Sequence, residues 1–406
     1  MSSKKVRFMP WKFSRRAQNL KSSTIREILK VTEQADVISF AGGLPAPDTF
    51  PLSEIKDATN ALLENQDIYG ALQYGPSEGY TPLRQWIANY LSERDHVSVS
   101  SDEILIVTGS QQALDLIGKA LIDTNDTVLV ETPTYLGALQ SFNQYNPEYV
   151  AIASDNEGLI PETIDNELAS SAKFLYSIPN FQNPTGRRLP LHRREALAAK
   201  AKQNNLLLIE DDPYGDLDYQ GQRLPALYTL APENTVYLGS FSKILAPGLR
   251  LGYLVANKQF ISKLLPLKQA SDLHTPSLTQ YIAYQVLSKN NFLNHHIPKI
   301  RQLYNARCQY MLQSLAQYMP KEVSWNQPEG GMFIWVELPE YINATELLKE
   351  TIAQKIVFAP GETFYVHGEK NNCLRLAFVT VSEEKIDTGI KKMADIIKHH
   401  IQQQLL

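Results

Sequence analysis

Phe174-Leu-Tyr-Ser-Ile178, then Leu191-His-Arg-Arg-Glu-Ala-Leu-Ala-Ala-Lys-Ala-Lys202, then Leu206-Leu-Leu-Ile-Glu210: this stretch passes from a short apolar run through helical spacing to a second apolar run. A strand with little polar surface has to be covered on both faces, and a helix between two such strands is the connection that parallel pairing requires. The alternation extends in both directions. Further β-rich runs lie at 104–107, 127–131, 149–152, 235–238 and 251–255, and residues 111–122 carry Ala113, Leu114, Leu116, Ile117, Ala120 and Leu121 at helical spacing. Seven runs predict an α/β fold whose large domain holds a mostly parallel seven-stranded sheet covered by helices.

After about residue 290 the pattern changes. Helix-like segments at 300–318, 344–353 and 386–404 flank fewer strands, at 332–338, 356–359 and 374–379. A helical stretch at 24–35 precedes the turn-rich Phe40-Ala-Gly-Gly-Leu-Pro-Ala-Pro47. A smaller α+β domain built from both chain ends is expected: residues 1–45 as an arm and lid helix, 46–290 as the large domain, and 291–406 as the C-terminal part. The chain has 406 residues, 43% of them apolar and 20% charged, enough for a sizeable core. Its 39 Lys and Arg against 43 Asp and Glu leave a net charge of -4, which offers no field for nucleic acid or a membrane surface. Two cysteines, Cys308 and Cys373, cannot form a disulfide framework. The N-terminus has charge without the apolar stretch of a signal peptide, and no run reaches the ~20 apolar residues of a membrane span. Those features point to a cytoplasmic protein large enough to be an enzyme.

The chemistry concentrates after the strands. Gly239-Ser-Phe-Ser-Lys243 directly follows the run 235–238, with Arg250 seven residues beyond the lysine. Two hydroxyls, a lysine and an arginine at a strand end suit a phosphate-bearing ligand whose carbonyl condenses with an amine. Thr108-Gly-Ser-Gln-Gln112 follows a strand and opens a helix, where free N–H groups can hold an anion, although an ordinary cap at Ser110 accounts for it equally well. Asp211, in Asp211-Asp-Pro-Tyr214, ends another run; Asn183 lies in Pro179-Asn-Phe-Gln-Asn-Pro-Thr-Gly186, past a fourth. Each has a plain structural reading as a turn residue. Together, four polar clusters at the carboxyl ends of four parallel strands converge where open α/β sheets bind ligands. No metal-binding pattern accompanies them.

These residues resemble the fold-type I aminotransferases of class I/II, which use pyridoxal phosphate. The matching motifs are Ser240-x-Ser242-Lys243 with Arg250, Asn183-Pro-Thr-Gly186, Asp211-x-x-Tyr214 and Leu374-Arg375-Leu376, and the resemblance runs from about Thr24 to the C-terminus. In detail the chain is similar to the 2-aminoadipate and kynurenine/2-aminoadipate subgroup, through Ser23-Thr-Ile-Arg26, the Phe40 to Pro47 segment, Ala71-Leu-Gln-Tyr74, Gly109-Ser-Gln-Gln-Ala-Leu-Asp115, Asp272-Leu-His-Thr275 and Gly330-Gly-Met-Phe-Ile-Trp335.

The resemblance implies roles. Lys243 would form the Schiff base with the cofactor aldehyde and shuttle the proton of the substrate Cα. Asp211 would pair with the pyridine nitrogen, and Asn183 and Tyr214 with the phenolic oxygen. Ser110, Gln111, Ser240, Ser242 and Arg250 would hold the phosphate, and Tyr135 would stack on the ring. Arg375 would take the substrate carboxylate, a pairing that also explains a guanidinium inside an apolar strand. Asn183 and Gly43 would lie close to that carboxylate. Tyr74 would reach the site of a neighbouring subunit, implying a homodimer with shared sites. Ser23 and Arg26, on the lid helix, would meet the substrate side chain.

The expected reaction is transfer of the amino group of an L-amino acid, of 2-aminoadipate, aromatic or branched-chain type, to 2-oxoglutarate. A lyase or decarboxylase on the same scaffold is the alternative. A pyridoxal-phosphate-binding regulator would need a DNA-binding module of ~55–65 residues, whereas about 40 residues precede Gly42-Gly43, and it would carry a basic footprint that is missing here.

Overall fold

A computed structural model describes residues 11–20, 36–289 and 291–404, and in it all seven apolar runs of the middle of the chain are strands of one sheet. They are β1 (Ile104–Val107), β2 (Thr127–Glu131), β3 (Glu148–Ile152), β4 (Phe174–Ser177), β5 (Leu208–Asp212), β6 (Thr235–Ser240) and β7 (Gly252–Val255). The spatial order is β1-β7-β6-β5-β4-β2-β3. Every pair from β6 to β3 is parallel, and β7 is antiparallel to both of its neighbours. Residues 241–251 are fewer than the dozen or so that a parallel crossover needs, so β7 returns directly. Since β7 reverses against both neighbours, β1 runs in the same direction as the other five strands.

Alternate residues of a strand face opposite sides. Accordingly Leu105 and Val107 join one core cluster while Ile104 and Ile106 join another across the sheet. The helices α1 (Ser110–Leu121), α2 (Leu136–Phe142) and α3 (Leu191–Asn204) connect strands, and α4 (Lys258–Asp272) follows the last of them and packs against α1. The architecture is therefore α/β, with a mostly parallel sheet covered by helices.

Several boundaries differ from the sequence expectation, among them the run 356–359, which splits into Ile356–Val357 and Ala359–Pro360, and two have a clear cause. The run 206–210 forms a strand only from Leu208, because the left-handed Asn205 (φ 53°) closes α3 and the Leu206 N–H is still bonded to the Ala201 carbonyl. The strand consequently extends through Asp211 and Asp212. The helix expected from residue 300 begins earlier, as α5 (Phe292–Tyr318), and runs through Pro298. Proline removes a helical hydrogen bond, but Leu293 and Ile297 are buried against Ile282 and Val286 in the first turns, and that packing offsets the loss.

A second, antiparallel sheet of four strands, β8 (Ser324–Trp325), β9 (Phe333–Glu337), β10 (Ala359–Pro360) and β11 (Cys373–Ala377), has the order β8-β9-β11-β10. Near it the strand Ile38–Ser39 pairs in parallel with Ile356–Val357, and α6 (Glu383–Gln404) packs along α5. The expected helix at 24–35, with Ser23 and Arg26, lies outside the described residues. Among the described residues no helix is long and apolar enough to cross a membrane.

Candidate active site

Because β1, β4, β5 and β6 run the same way, their carboxyl ends share one edge, and the four polar clusters open into one cavity of about 410 Å³. Every described residue expected from sequence lines it except Tyr74; Ser23 and Arg26 lie outside the described residues. Among the described residues its charged lining is Lys243, Arg250 and Arg375 against a single carboxylate, Asp211. A larger cleft of about 720 Å³, lined in part by Arg187, Trp325, Trp335 and Glu337, holds no lysine. The chemistry, not the volume, marks the site.

Strand alternation separates the two adjacent acids of β5. Asp212 points away from the cavity and is bound by Asn180 Nδ2 (2.9 Å), Arg223 (2.7 Å) and the Tyr237 hydroxyl (2.8 Å). Asp211 points into the cavity: its Oδ2 accepts a hydrogen bond from the Tyr176 hydroxyl at 2.8 Å, while its buried Oδ1 has no partner among the described residues. Burial pushes the Asp211 carboxyl up to about 7, against the lowering pull of Tyr176. Across the cavity, Lys243 Nζ donates to the Gly43 carbonyl at 2.9 Å. Burial, with Arg375 and Arg250 nearby, brings its amine down to about 8, so a neutral nucleophile is within reach near neutral pH.

The anion end is built at the start of α1, where the first N–H groups lack intrahelical partners. Gly109, at φ +76°, makes the turn, and a Cβ there would stand 2.6 Å from the Arg250 guanidinium. Arg250 reaches the Thr108 carbonyl at 3.4 Å and has no carboxylate within ion-pair distance among the described residues. Ser240 Oγ accepts the Ser242 N–H at 3.2 Å, folding both hydroxyl residues toward the cup. Gln111 offers its backbone, as the helix-start reading expects. Its side chain donates to the Gly137 carbonyl (2.8 Å) and Ser141 Oγ (2.7 Å), anchoring α2, which leaves its backbone N–H rather than its amide to face an anion.

The Asp272-Leu-His-Thr275 motif lies behind this cup. Buried Lys268 donates to Asp272 and Thr275 at 3.0 Å, and Asp272 Oδ2 accepts from Thr108 Oγ1 (3.1 Å) and Gln112 Nε2 (2.6 Å). His274 accepts the Gly75 N–H at 3.3 Å and meets Tyr74 edge to face, with ring centres 5.8 Å apart. Tyr74 itself is 77% exposed and lies outside the lining of this chain's cavity.

At the opposite end Arg375 comes from β11. It donates to Asn183 Oδ1 (2.6 Å) and the Ala41 carbonyl (2.5 Å), and stands 4.4 Å from the centre of the Phe333 ring. Its Nε is buried without a partner, no carboxylate pairs with it among the described residues, and burial brings it down to about 10. A buried, hydrogen-bonded but uncompensated guanidinium is costly unless a ligand supplies the anion. Asn183 Nδ2 reaches the Tyr214 hydroxyl at 3.5 Å. Gly137 lets Tyr135 fold back over the cavity; a Cβ there would lie 2.5 Å from the ring.

Supporting residues escaped the sequence reading. Fully buried Arg194, from α3, bonds the carbonyls of Pro179, Leu189 and Pro225 and the Asn180 side chain, which pins the turn carrying Asn183. Buried Glu131 accepts from Ser177 Oγ (2.7 Å) and Gln182 Nε2 (2.6 Å), and Gln182 also reaches the Pro133 carbonyl at 3.0 Å, tying the Tyr135 turn to the Asn183 turn. A carboxylate closing an apolar strand is a readable signal for Glu131. Tyr176, a tyrosine in a strand, carries none.

Comparison with known proteins places this geometry. The model of class I and II aminotransferases matches residues 35–393. The chain is similar to aromatic-amino-acid aminotransferase 1 of Thermococcus litoralis, 44% identical over 396 residues and spanning 96% of this chain and 94% of the relative. It is also similar to the 2-aminoadipate transaminase of Thermus thermophilus, 39% identical over 95% of this chain and 96% of the relative. A solved structure of Pyrococcus horikoshii kynurenine aminotransferase, in complex with PMP, matches at TM-score 0.91 and 42% identity, over 96% of this chain and 97% of that chain.

Proposed function

The chain belongs to the class I and II aminotransferases, with the fold-type I architecture and pyridoxal 5'-phosphate as cofactor, and from that premise we propose that it moves the amino group of an L-amino acid of 2-aminoadipate, aromatic or branched-chain type to 2-oxoglutarate. The observation that carries this reading is one cavity holding a weakly basic lysine, a carboxylate oxygen with no partner and an uncompensated arginine. The residues fit the cofactor on that same ground: Asp211 Oδ1 lacks a donor that a ring N–H would provide, and the Gly109 turn leaves an open cup beside Arg250.

When bound, pyridoxal phosphate supplies a carbonyl that condenses with amines and a ring that takes up the electrons left at Cα. The chain supplies the rest. Lys243 would hold the cofactor covalently, and its weakly basic amine would be the group that takes the proton from Cα. Asp211 accepts the ring N–H and keeps that nitrogen cationic. Arg250, Ser110, Ser240, Ser242 and the N–H of Gln111 hold the phosphate; Tyr135 covers a ring face; Asn183 and Tyr214 bond the phenolic oxygen. Arg375, held by Asn183 and Ala41, keeps donors free for the substrate carboxylate beside Gly43. Which bond at Cα breaks depends on how that carboxylate is held. Ser23 and Arg26 would read the side chain, and the enzyme would act in the cytoplasm.

Initial rates over a panel of amino donors with 2-oxoglutarate test the reading, with glutamate as the product measured. Absence of glutamate from every donor, with carbon dioxide or an elimination product instead, would replace transamination by lyase chemistry.

Tyr74 supports a homodimer with shared sites, since its ring is exposed and outside the lining of its own chain's cavity. Mixing an inactive Lys243→Ala protein with an inactive Tyr74→Ala protein should restore up to about a quarter of wild-type activity through heterodimers with one intact site. No recovery despite verified subunit exchange would mean that each site is built from one chain.

A further inference from the structure

We propose that Tyr176 is a positioning residue that decides which oxygen of Asp211 meets the cofactor and on which side of that contact the proton rests. The inference builds on the cofactor placement above and concerns a residue with no contact to substrate or cofactor. Tyr176 lies in β4, adjacent to β5, with Tyr176 paired opposite Ile209. It is fully buried, and its hydroxyl donates to Asp211 Oδ2 at 2.8 Å. That bond occupies one oxygen and fixes the carboxyl plane, so Oδ1, buried and without a partner, is the oxygen presented to the cavity.

A hydrogen bond donated to a carboxylate stabilises its charged form. The Asp211 site needs such help. Burial drives its carboxyl toward the neutral form, Asp212 pushes the same way along the strand, and Tyr176 opposes both. The other groups facing the cavity near it are the Tyr214 phenol, whose own ionisation burial suppresses, and the Lys243 amine. Neither is hydrogen-bonded to Asp211. Burial and the neighbouring Asp211 charge hold the Tyr176 phenol well above its ordinary range, so it remains a donor across the working pH. In the pair formed by Asp211 and a ring nitrogen, one proton is shared between two bases. Tyr176 weakens the carboxylate as a base and thereby leaves the proton on nitrogen, where it strengthens the ring as an electron acceptor.

The test is Tyr176→Phe, which removes one oxygen and keeps the ring packed. The readout is the ¹⁵N resonance of ring-labelled cofactor bound to the protein, together with single-turnover exchange of the substrate Cα hydrogen. The resonance should move from the pyridinium position toward that of neutral pyridine, and exchange should slow roughly tenfold, the scale of one hydrogen bond to a charged group, with KM changed less than about twofold. In an Asp211→Asn background the same change should have little further effect, because the group through which Tyr176 acts is gone. An unmoved resonance overturns the proposal, whether or not exchange slows; slowing alone would make Tyr176 a packing residue. If the wild-type nitrogen is already neutral, the pairing of Asp211 with the cofactor fails instead, which separates the two readings.

Discussion

Lys243→Ala should abolish transamination while the protein still folds. In the proposed mechanism the lysine carries two tasks, covalent attachment of the cofactor and proton transfer at Cα, and loss of a positioned proton-transfer group alone costs up to ~10⁴-fold. We expect turnover to fall by at least about that factor, and the visible absorption arising from covalent attachment to disappear. Stability should be unaffected or improved in the cofactor-free protein. Lys243 makes one hydrogen bond, to Gly43, and no ion pair among the described residues, while burial and two neighbouring guanidinium groups disfavour its charge. The same lowered amine predicts a pH signature. With the amine brought down to about 8, the reactive neutral form grows as pH rises to that value and is nearly complete above it. The rate of cofactor loading into the stripped wild-type protein should therefore climb about tenfold per pH unit below that point and then level off. A variant that transaminates at the wild-type rate would remove Lys243 from the centre of the mechanism.

Asp211→Asn should slow Cα-proton abstraction by about 100-fold or more, with the shape of the site retained. The substitution keeps the size and the Tyr176 contact but removes the charge that, in the proposed mechanism, holds a proton on the ring nitrogen. Losing one preorganised electrostatic partner in a water-poor site costs on the order of 10²–10³ in rate. Hydrogen–deuterium exchange at the substrate Cα isolates this step from product release. An unchanged exchange rate would show that the ring nitrogen is held by another group. Asp212→Asn makes a contrasting control in structure rather than chemistry, because Asp212 belongs to the Arg223 and Asn180 network on the other face of β5.

The alternation of apolar runs with helical spacing was sufficient for the sheet, since a strand buried on both faces leaves an unmistakable composition. The lysine cluster at 239–243, the Asp211 end of β5, the Asn183 turn and Arg375 were legible for a related reason: charged or small polar residues stand out against apolar strands. Strand limits were less legible. The start of β5 depended on the left-handed cap at Asn205, and α5 crossed Pro298 because of contacts with residues distant in sequence.

What the sequence by itself determined, then, was the inventory of strands, helices and reactive side chains, because these follow from local composition and spacing. Which groups meet was decided only by the tertiary structure. Seven strands can be ordered in many ways; the common direction of β1, β4, β5 and β6 brings their carboxyl ends to one edge, and the order β1-β7-β6-β5-β4-β2-β3 sets which of them are neighbours. Asp211 and Asp212 are adjacent acids in the chain; the pleat of β5 sends one to the cavity and the other to an ion-pair network. Gln111 belongs to an anion-binding motif, yet the nearness of α2 turns its amide to Gly137 and Ser141. Arg375 meets Asn183 across 192 residues and Tyr176 meets Asp211 across 35, contacts that no local pattern encodes because the first joins a strand of the second sheet to a turn of the large one and the second joins neighbouring strands.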